Sequence, residues 1–176
     1  QIMKFLKDVS RLVASENLPV TWTTPKPLNF PVQMMCYKKE SKRVKTKMGD
    51  SIIKLSIQSD TDEIDKRKTA QSICPNLIHS LDASCLMLAV IKAKDKGVTN
   101  FSLIHDSFGC VAPDVHKLSE AIREAFCEVY EQDVLTNWAM EMKQMLSEKN
   151  AKKFPHIPER GNLDLSLVKQ STFFCV

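Results

Sequence analysis

The spacing of apolar residues predicts helices that alternate with short strands. Apolar residues recur at helical spacing over residues 2–16, in the segment 60–97 and in two stripes within residues 113–148. Residues 20–24 and 32–37 are typical of short strands. Acidic residues precede basic ones after Asp60, so Thr61 or Asp62 is expected to cap a helix there, and Pro75 is expected to open the next one.

Residues 32–58 are predicted to form a basic hairpin. Arg43, Lys45 and Lys47 alternate with apolar or small residues before a turn at Gly49-Asp50, so that in a strand these three cations share one face. Residues 38–54 contain seven basic and two acidic residues, a local charge of +5 in a chain whose net charge is +4. The candidate phosphate-binding residues are Lys42, Arg43, Lys45, Lys47 and Lys54. A two-stranded ribbon fits the major groove of DNA, but lysines also protect ordinary edge hairpins from aggregation.

Residues 99–111 are predicted to form a second hairpin around a polar turn. Apolar residues precede and follow His105-Asp106-Ser107. Two strands would hold the carboxylate of Asp106 in a fixed position, which suits a metal ligand. The ordinary alternative is a turn aspartate without chemistry.

Composition limits the remaining possibilities. The 176 residues suit one domain with a core, and 43% hydrophobic with 26% charged residues is usual for a soluble protein. No apolar run approaches the length that crosses a bilayer, and no signal peptide is evident. The six cysteines form no C-x-x-C pair, so a structural zinc site has little support. The first residue is Gln1, which suggests a fragment of a longer protein.

Three segments carry a family resemblance. Residues 104–109, Ile-His-Asp-Ser-Phe-Gly, resemble the third palm motif of single-subunit, phage-type DNA-directed RNA polymerases. Residues 75–84 resemble the helix that precedes this motif, and residues 161–176 resemble the aromatic carboxyl terminus of the same family. The three matches occur in the family's order over nearly the whole chain.

The resemblance implies an α+β fold, in which a palm-type antiparallel hairpin or sheet is backed by long helices as part of a larger right-hand polymerase. Residues 32–58 would be an inserted specificity hairpin, residues 113–148 packing helices and residues 149–176 a tail with a role near the active site. Asp106 would be one ligand of Mg²⁺ in a two-metal site. His105 would lie beside the priming nucleotide or help to orient the carboxylate of Asp106. The second aspartate of that site is not found in this sequence. His79 would face the minor groove of the template–product duplex, with Asp82 supporting it.

The implied partners are a DNA template and promoter, the RNA product, ribonucleoside triphosphates and the remainder of the polymerase chain, without a membrane. The Ser-Phe-Gly that follows Asp106 resembles the phage branch of the family more than the mitochondrial branch, which would place the protein in the cytoplasm of a bacterial host. The alternative is a mitochondrial protein, because residues 168–174 of the tail look mitochondrial. The competing hypothesis is a non-catalytic DNA-binding module that uses the basic hairpin and in which Asp106 is structural.

Overall fold

The computed structural model describes residues 1–104, 106–172 and 174, and it combines helices with three separate two-stranded antiparallel hairpins. The helices are α1 (Ile2–Ser15), α2 (Lys66–Asp95), α3 (Val115–Glu131), α4 (Val134–Met145), α5 (Glu148–Ala151) and α6 (Ser166–Gln170). The strands are β1 (Val20–Thr23), β2 (Pro31–Met34), β3 (Tyr37–Met48), β4 (Ser51–Ile64), β5 (Phe101–Ile104) and β6 (Ser107–Cys110). The predicted α+β class is confirmed.

The long helix α2 begins later than the sequence predicted. The carboxylate of Asp65 accepts hydrogen bonds from the backbone N–H groups of Arg67 and Lys68, so Asp65 is the cap and not Thr61 or Asp62. Residues 60–64 belong to β4, because β3 pairs with them as far as Tyr37 opposite Ile64. Pro75 lies inside α2 instead of opening a helix.

Two hydrophobic clusters form the core, and α2 contributes to both. Its first half enters a cluster with α1, β1, β2 and α4, through Ile73, Cys74 and Leu77. Its second half enters a cluster with α3 and with partly buried residues of β5 and β6, through Leu88, Ala89 and Ala93. At 30 residues, α2 is roughly 45 Å long, which is enough to join two clusters end to end.

Helix α2 is more apolar over its length than expected, because no apolar run long enough to cross a bilayer had been found in the sequence. Among the described residues it is the one helix that is long and apolar enough to cross a membrane by those two criteria. A helix that supplies side chains to two protein cores has the same composition, and the buried positions of α2 supply both clusters. The two criteria alone are therefore weak evidence for a membrane span.

Only one of the two helices in residues 113–148 packs behind the second hairpin. Helix α3 shares a cluster with β5 and β6, as predicted. Helix α4 packs instead against α1 and β1, where Trp138 is buried edge-on against Phe5 at 6.2 Å between ring centroids. The backbone of Gln132 is extended between the helices, and the carboxylate of Asp133 starts α4 by accepting from the N–H of Thr136. The chain therefore changes direction at residues 132–133.

A carboxylate joins the carboxyl end of α1 to the start of α5. Glu16 accepts hydrogen bonds from the backbone N–H of Ser147 at 3.1 Å, from its hydroxyl at 2.6 Å and from the side-chain amide of Asn150 at 2.6 Å. The hydroxyl of Ser147, followed by its N–H, holds the pKa of Glu16 below its ordinary value, because these bonds favour the ionised form.

Replacing Glu16 is expected to make stability less dependent on acid pH. The folded-state pKa is lowered, so the ionised carboxylate stabilises the fold above its unfolded pKa of about 4.3, and this contribution disappears as the pH falls through the folded pKa. Glu16→Gln should lower the urea midpoint at pH 7 and approach wild type at pH 3. Glu159→Gln, which changes an exposed carboxylate without a hydrogen bond among the described residues, is the control. An equal deficit of Glu16→Gln at both pH values would contradict the assignment.

Candidate functional site

The basic hairpin is a long ribbon formed by β3 and β4. The two strands pair from Tyr37 opposite Ile64 at the base to Met48 opposite Ser51 beside the turn, with an irregularity after Tyr37. The 12 residues of β3 span roughly 40 Å. The sequence placed the start of this hairpin at residue 32, but Val32 pairs with Trp22 of β1, so residues 31–34 belong to a different hairpin.

The base of the ribbon is fixed, whereas its outer part projects from the body. The side chain of Asn17 accepts from the N–H of Ile64 at 2.7 Å and donates to the carbonyl of Asp62 at 3.1 Å. Lys38 pairs with Glu63 at 2.5 Å, and this hydrogen bond raises the pKa of Lys38 and lowers that of Glu63. Beyond the base, β3 and β4 contact mainly each other.

The outer part of the ribbon carries an uncompensated cationic face. Side chains that lie opposite each other in an antiparallel pair share a face, so Lys45 and Lys54 lie side by side on the face that also carries Arg43 and Lys47. None of these four forms an ion pair within the described part of the chain. Like charges directly opposite each other destabilise a strand pair, so an external anion would relieve this face.

The opposite face of the ribbon is mainly apolar. Val44 lies opposite Leu55, and Lys42 lies opposite Ile57. Lys42 therefore lies on the opposite face from the other four candidate cations, as strand alternation requires for a residue next to Arg43. The apolar side chains are about half exposed, and no described residue covers this face.

Asp106 lies in the turn between β5 and β6, as the sequence predicted. The last strand pair before the turn is Ile104 opposite Ser107, and Phe101 and Phe108 anchor the two strands in the second cluster. The side chain of Asp106 is exposed and forms no hydrogen bond or ion pair with a described residue. A free carboxylate is therefore held on a supported hairpin. The catalytic prediction for His105 lies outside the described residues.

The turn can supply one metal ligand. A carboxylate oxygen is a ligand that Mg²⁺ prefers, so Asp106 fits such an ion chemically. Among the described residues no group of three His, Cys, Asp or Glu side chains could hold a metal ion. Asp106 would therefore need a carboxylate from elsewhere to complete a two-metal site.

His79 is exposed on α2, close in sequence to the part of the helix that packs under the Asp106 hairpin. Leu81 and Cys85 of α2 share the second cluster with Phe101 and Phe108. The expected support of His79 by Asp82 is not observed, because no hydrogen bond joins them in the structure. The charge of Asp82 instead acts on Tyr130, whose pKa is raised first by burial and then by this carboxylate.

The tail is attached to α3 by a residue that the sequence analysis did not identify. The guanidinium of Arg123 donates to the carbonyl of Ser171 at 2.6 Å and lies 5.7 Å from the ring centroid of Phe174. Phe174 packs edge-on against Phe126 and joins the second cluster. The tail thus covers the same cluster that supports the Asp106 hairpin. The tail's expected role near the active site would also involve Phe173 and Val176, which lie outside the described residues.

Comparison with known proteins shows which protein family and which proteins this chain is similar to. A family model described as DNA-dependent RNA polymerase matches residues 1–153. DNA-directed RNA polymerase 2, chloroplastic/mitochondrial, of Arabidopsis thaliana is 39% identical over 173 residues, which cover 98% of this chain and 16% of that protein. DNA-directed RNA polymerase 1, mitochondrial, of Nicotiana sylvestris is 35% identical, with the same coverage.

A shorter relative, DNA-directed RNA polymerase 2A of Nicotiana tabacum, is 35% identical over 173 residues, 98% of this chain and 49% of that protein. The chain therefore spans about a sixth of the length of the first relatives and half of this one.

Loss of the Arg123 guanidinium is expected to release the tail. Arg123→Met should speed amide hydrogen exchange in residues 166–172 by about tenfold, because hydrogen bonds to a charged group and a cation–π contact are lost together. Arg160→Met is the matched control, since Arg160 donates to the carbonyls of Tyr130 and Glu131 and should leave residues 166–172 unchanged. Unchanged exchange of the tail in Arg123→Met would show that Arg123 does not retain it.

Proposed function

The chain belongs to the DNA-dependent RNA polymerase family, and we propose that it supplies such a polymerase with one metal-binding carboxylate and a DNA-binding ribbon. The reaction is the DNA-templated addition of ribonucleotides to the 3′ end of RNA. The observation that carries the proposal is the free carboxylate of Asp106 at the end of a hairpin whose strands are anchored in the core.

Asp106 acts as one of the ligands that hold Mg²⁺ at the reacting groups. When bound, the metal ions would neutralise the triphosphate and activate the 3′-hydroxyl of the RNA. The hairpin positions the carboxylate before substrate arrives, because β5 and β6 are paired up to the turn and packed on α2 and α3. The second carboxylate would come from the remainder of the polymerase chain. His105, next to Asp106, would lie beside the priming nucleotide.

His79 contacts the minor groove of the template–product duplex in this proposal. Its exposure on α2 and the packing of the next turn of α2 under the Asp106 hairpin both support the assignment. With no hydrogen bond to Asp82 in the structure, the imidazole is free to bind nucleic acid.

The ribbon binds duplex DNA through its cationic face. Arg43, Lys45, Lys47 and Lys54 lie together without carboxylate partners among the described residues, as phosphate-binding side chains would. The names of the relatives favour a mitochondrial or chloroplast enzyme over one in the cytoplasm of a bacterial host.

Asp106→Asn should abolish nucleotide addition by the full-length polymerase while retaining DNA binding. An amide cannot neutralise a divalent cation, so we expect the single-nucleotide addition rate on a preassembled template–RNA duplex to fall by roughly 10³-fold. The matched control is Asp114→Asn, because Asp114 pairs with Lys117 at 2.8 Å and faces no proposed substrate. A variant at Asp106 that retains the wild-type rate would refute the catalytic role and favour a non-catalytic DNA-binding module.

Removal of two ribbon cations should weaken DNA binding and its response to salt. Lys45→Ala with Lys47→Ala is expected to lower the slope of log K against log salt by about 1.8, because each lost phosphate contact contributes about 0.9. Fluorescence anisotropy of a labelled duplex, titrated at several salt concentrations, measures the slope. Lys152→Ala with Lys153→Ala removes equal charge from an exposed loop and should leave the slope unchanged. An unaltered slope in the ribbon variant would exclude these cations from the interface.

A further inference from the structure

The cationic face of the ribbon contains one large apolar side chain, Ile52. The register places Ile52 directly opposite Lys47, on the face that carries Arg43, Lys45 and Lys54. Its side chain is 72% exposed, although water is an unfavourable environment for an isoleucine. The remaining uncharged side chains on this face are Ser41, Ser56 and Gln58, all polar. Ile52 is therefore the exception on an otherwise hydrophilic surface.

The neighbours of Ile52 indicate the chemistry of a ligand that could contact it. Lys47 lies opposite Ile52, and Lys45 and Lys54 form the next pair on the same face, roughly 7 Å away along the strand. A ligand that reaches Ile52 must thus be strongly anionic and still present an apolar group within a few ångströms of its anionic groups. Duplex DNA meets this description, because the 5-methyl group of thymine is exposed in the major groove between the two phosphate backbones.

We propose that Ile52 is a specificity-determining residue that contacts the 5-methyl group of thymine when the ribbon lies in the major groove. This inference rests on the proposed binding of DNA by the cationic face. The lysines fix the ribbon on the phosphates but cannot distinguish sequences, whereas an apolar contact with the methyl group favours thymine. Ile52 would add sequence preference to an otherwise sequence-independent attachment.

The opposite face of the ribbon suits a different kind of contact. Val44, Leu55 and Ile57 form a continuous apolar surface there, whose one candidate cation is Lys42. A protein partner would bury such a continuous surface. A single isoleucine surrounded by cations matches the small apolar area of one or two methyl groups instead.

The test compares two duplexes that differ only in the methyl group. The full-length polymerase is titrated with labelled 30-base-pair alternating adenine–thymine DNA and with the same duplex containing uracil for thymine, at constant salt. Wild type should bind the thymine duplex about fourfold more tightly for each methyl group contacted. Ile52→Ala should reduce the ratio to about one, and Ile52→Val should retain most of it.

Two further variants separate this inference from the ribbon's general role. Met48→Ala removes a side chain of similar exposure, 70%, from the opposite face and should keep the thymine preference. Lys45→Ala with Lys47→Ala should weaken binding of both duplexes equally and preserve their ratio. A wild-type ratio of one, or a full preference in Ile52→Ala, would overturn the role of Ile52 while leaving the ribbon as a binding element. Unchanged affinity after removal of the lysines would refute the ribbon itself.

Discussion

Burial of α2 in two hydrophobic clusters is the constraint on which the arrangement of the candidate site depends. Ile73 and Leu77 bind the helix to α1, β1 and α4, and Leu88 binds it to α3 and the strands that flank Asp106. The ribbon continues directly into this helix, since Asp65 both follows β4 and caps α2. One helix thus connects the proposed DNA-binding ribbon, His79 and the packing that supports the Asp106 turn.

The ribbon and the Asp106 hairpin are both antiparallel strand pairs, but they differ in length and in how much of their surface is packed against the protein. The Asp106 hairpin is short, and its apolar side chains are packed on the second cluster, so that the carboxylate is held in place. The ribbon is long, and both of its faces are largely exposed beyond its base. Rigid placement suits a group that takes part in a reaction, whereas an extended cationic surface suits attachment to a polyanion.

The tail extends the support of the Asp106 hairpin. Arg123 retains residues 168–171 through their carbonyls, and Phe174 reaches the same cluster as Phe108, two residues beyond Asp106. Packing under the hairpin therefore includes residues from near both the middle and the end of the chain. The packing that supports the Asp106 turn therefore includes a residue of the tail.

The sequence by itself determined the local elements and the chemistry of the candidate residues. The helical period of α1, the alternation along the ribbon and the polar turn at Asp106 all predicted the observed elements, because these patterns depend on neighbouring residues. The order of three short motifs also identified the family.

Only the tertiary structure decided which of these elements meet. Pairing with β3 extended β4 into residues 60–64, where local charge order had predicted a helix. The direction of α4 and the attachment of the tail by Arg123 depend on residues distant in sequence. Such contacts leave no periodic signal along the chain, because their energy comes from burial and hydrogen bonds formed only after the chain has folded.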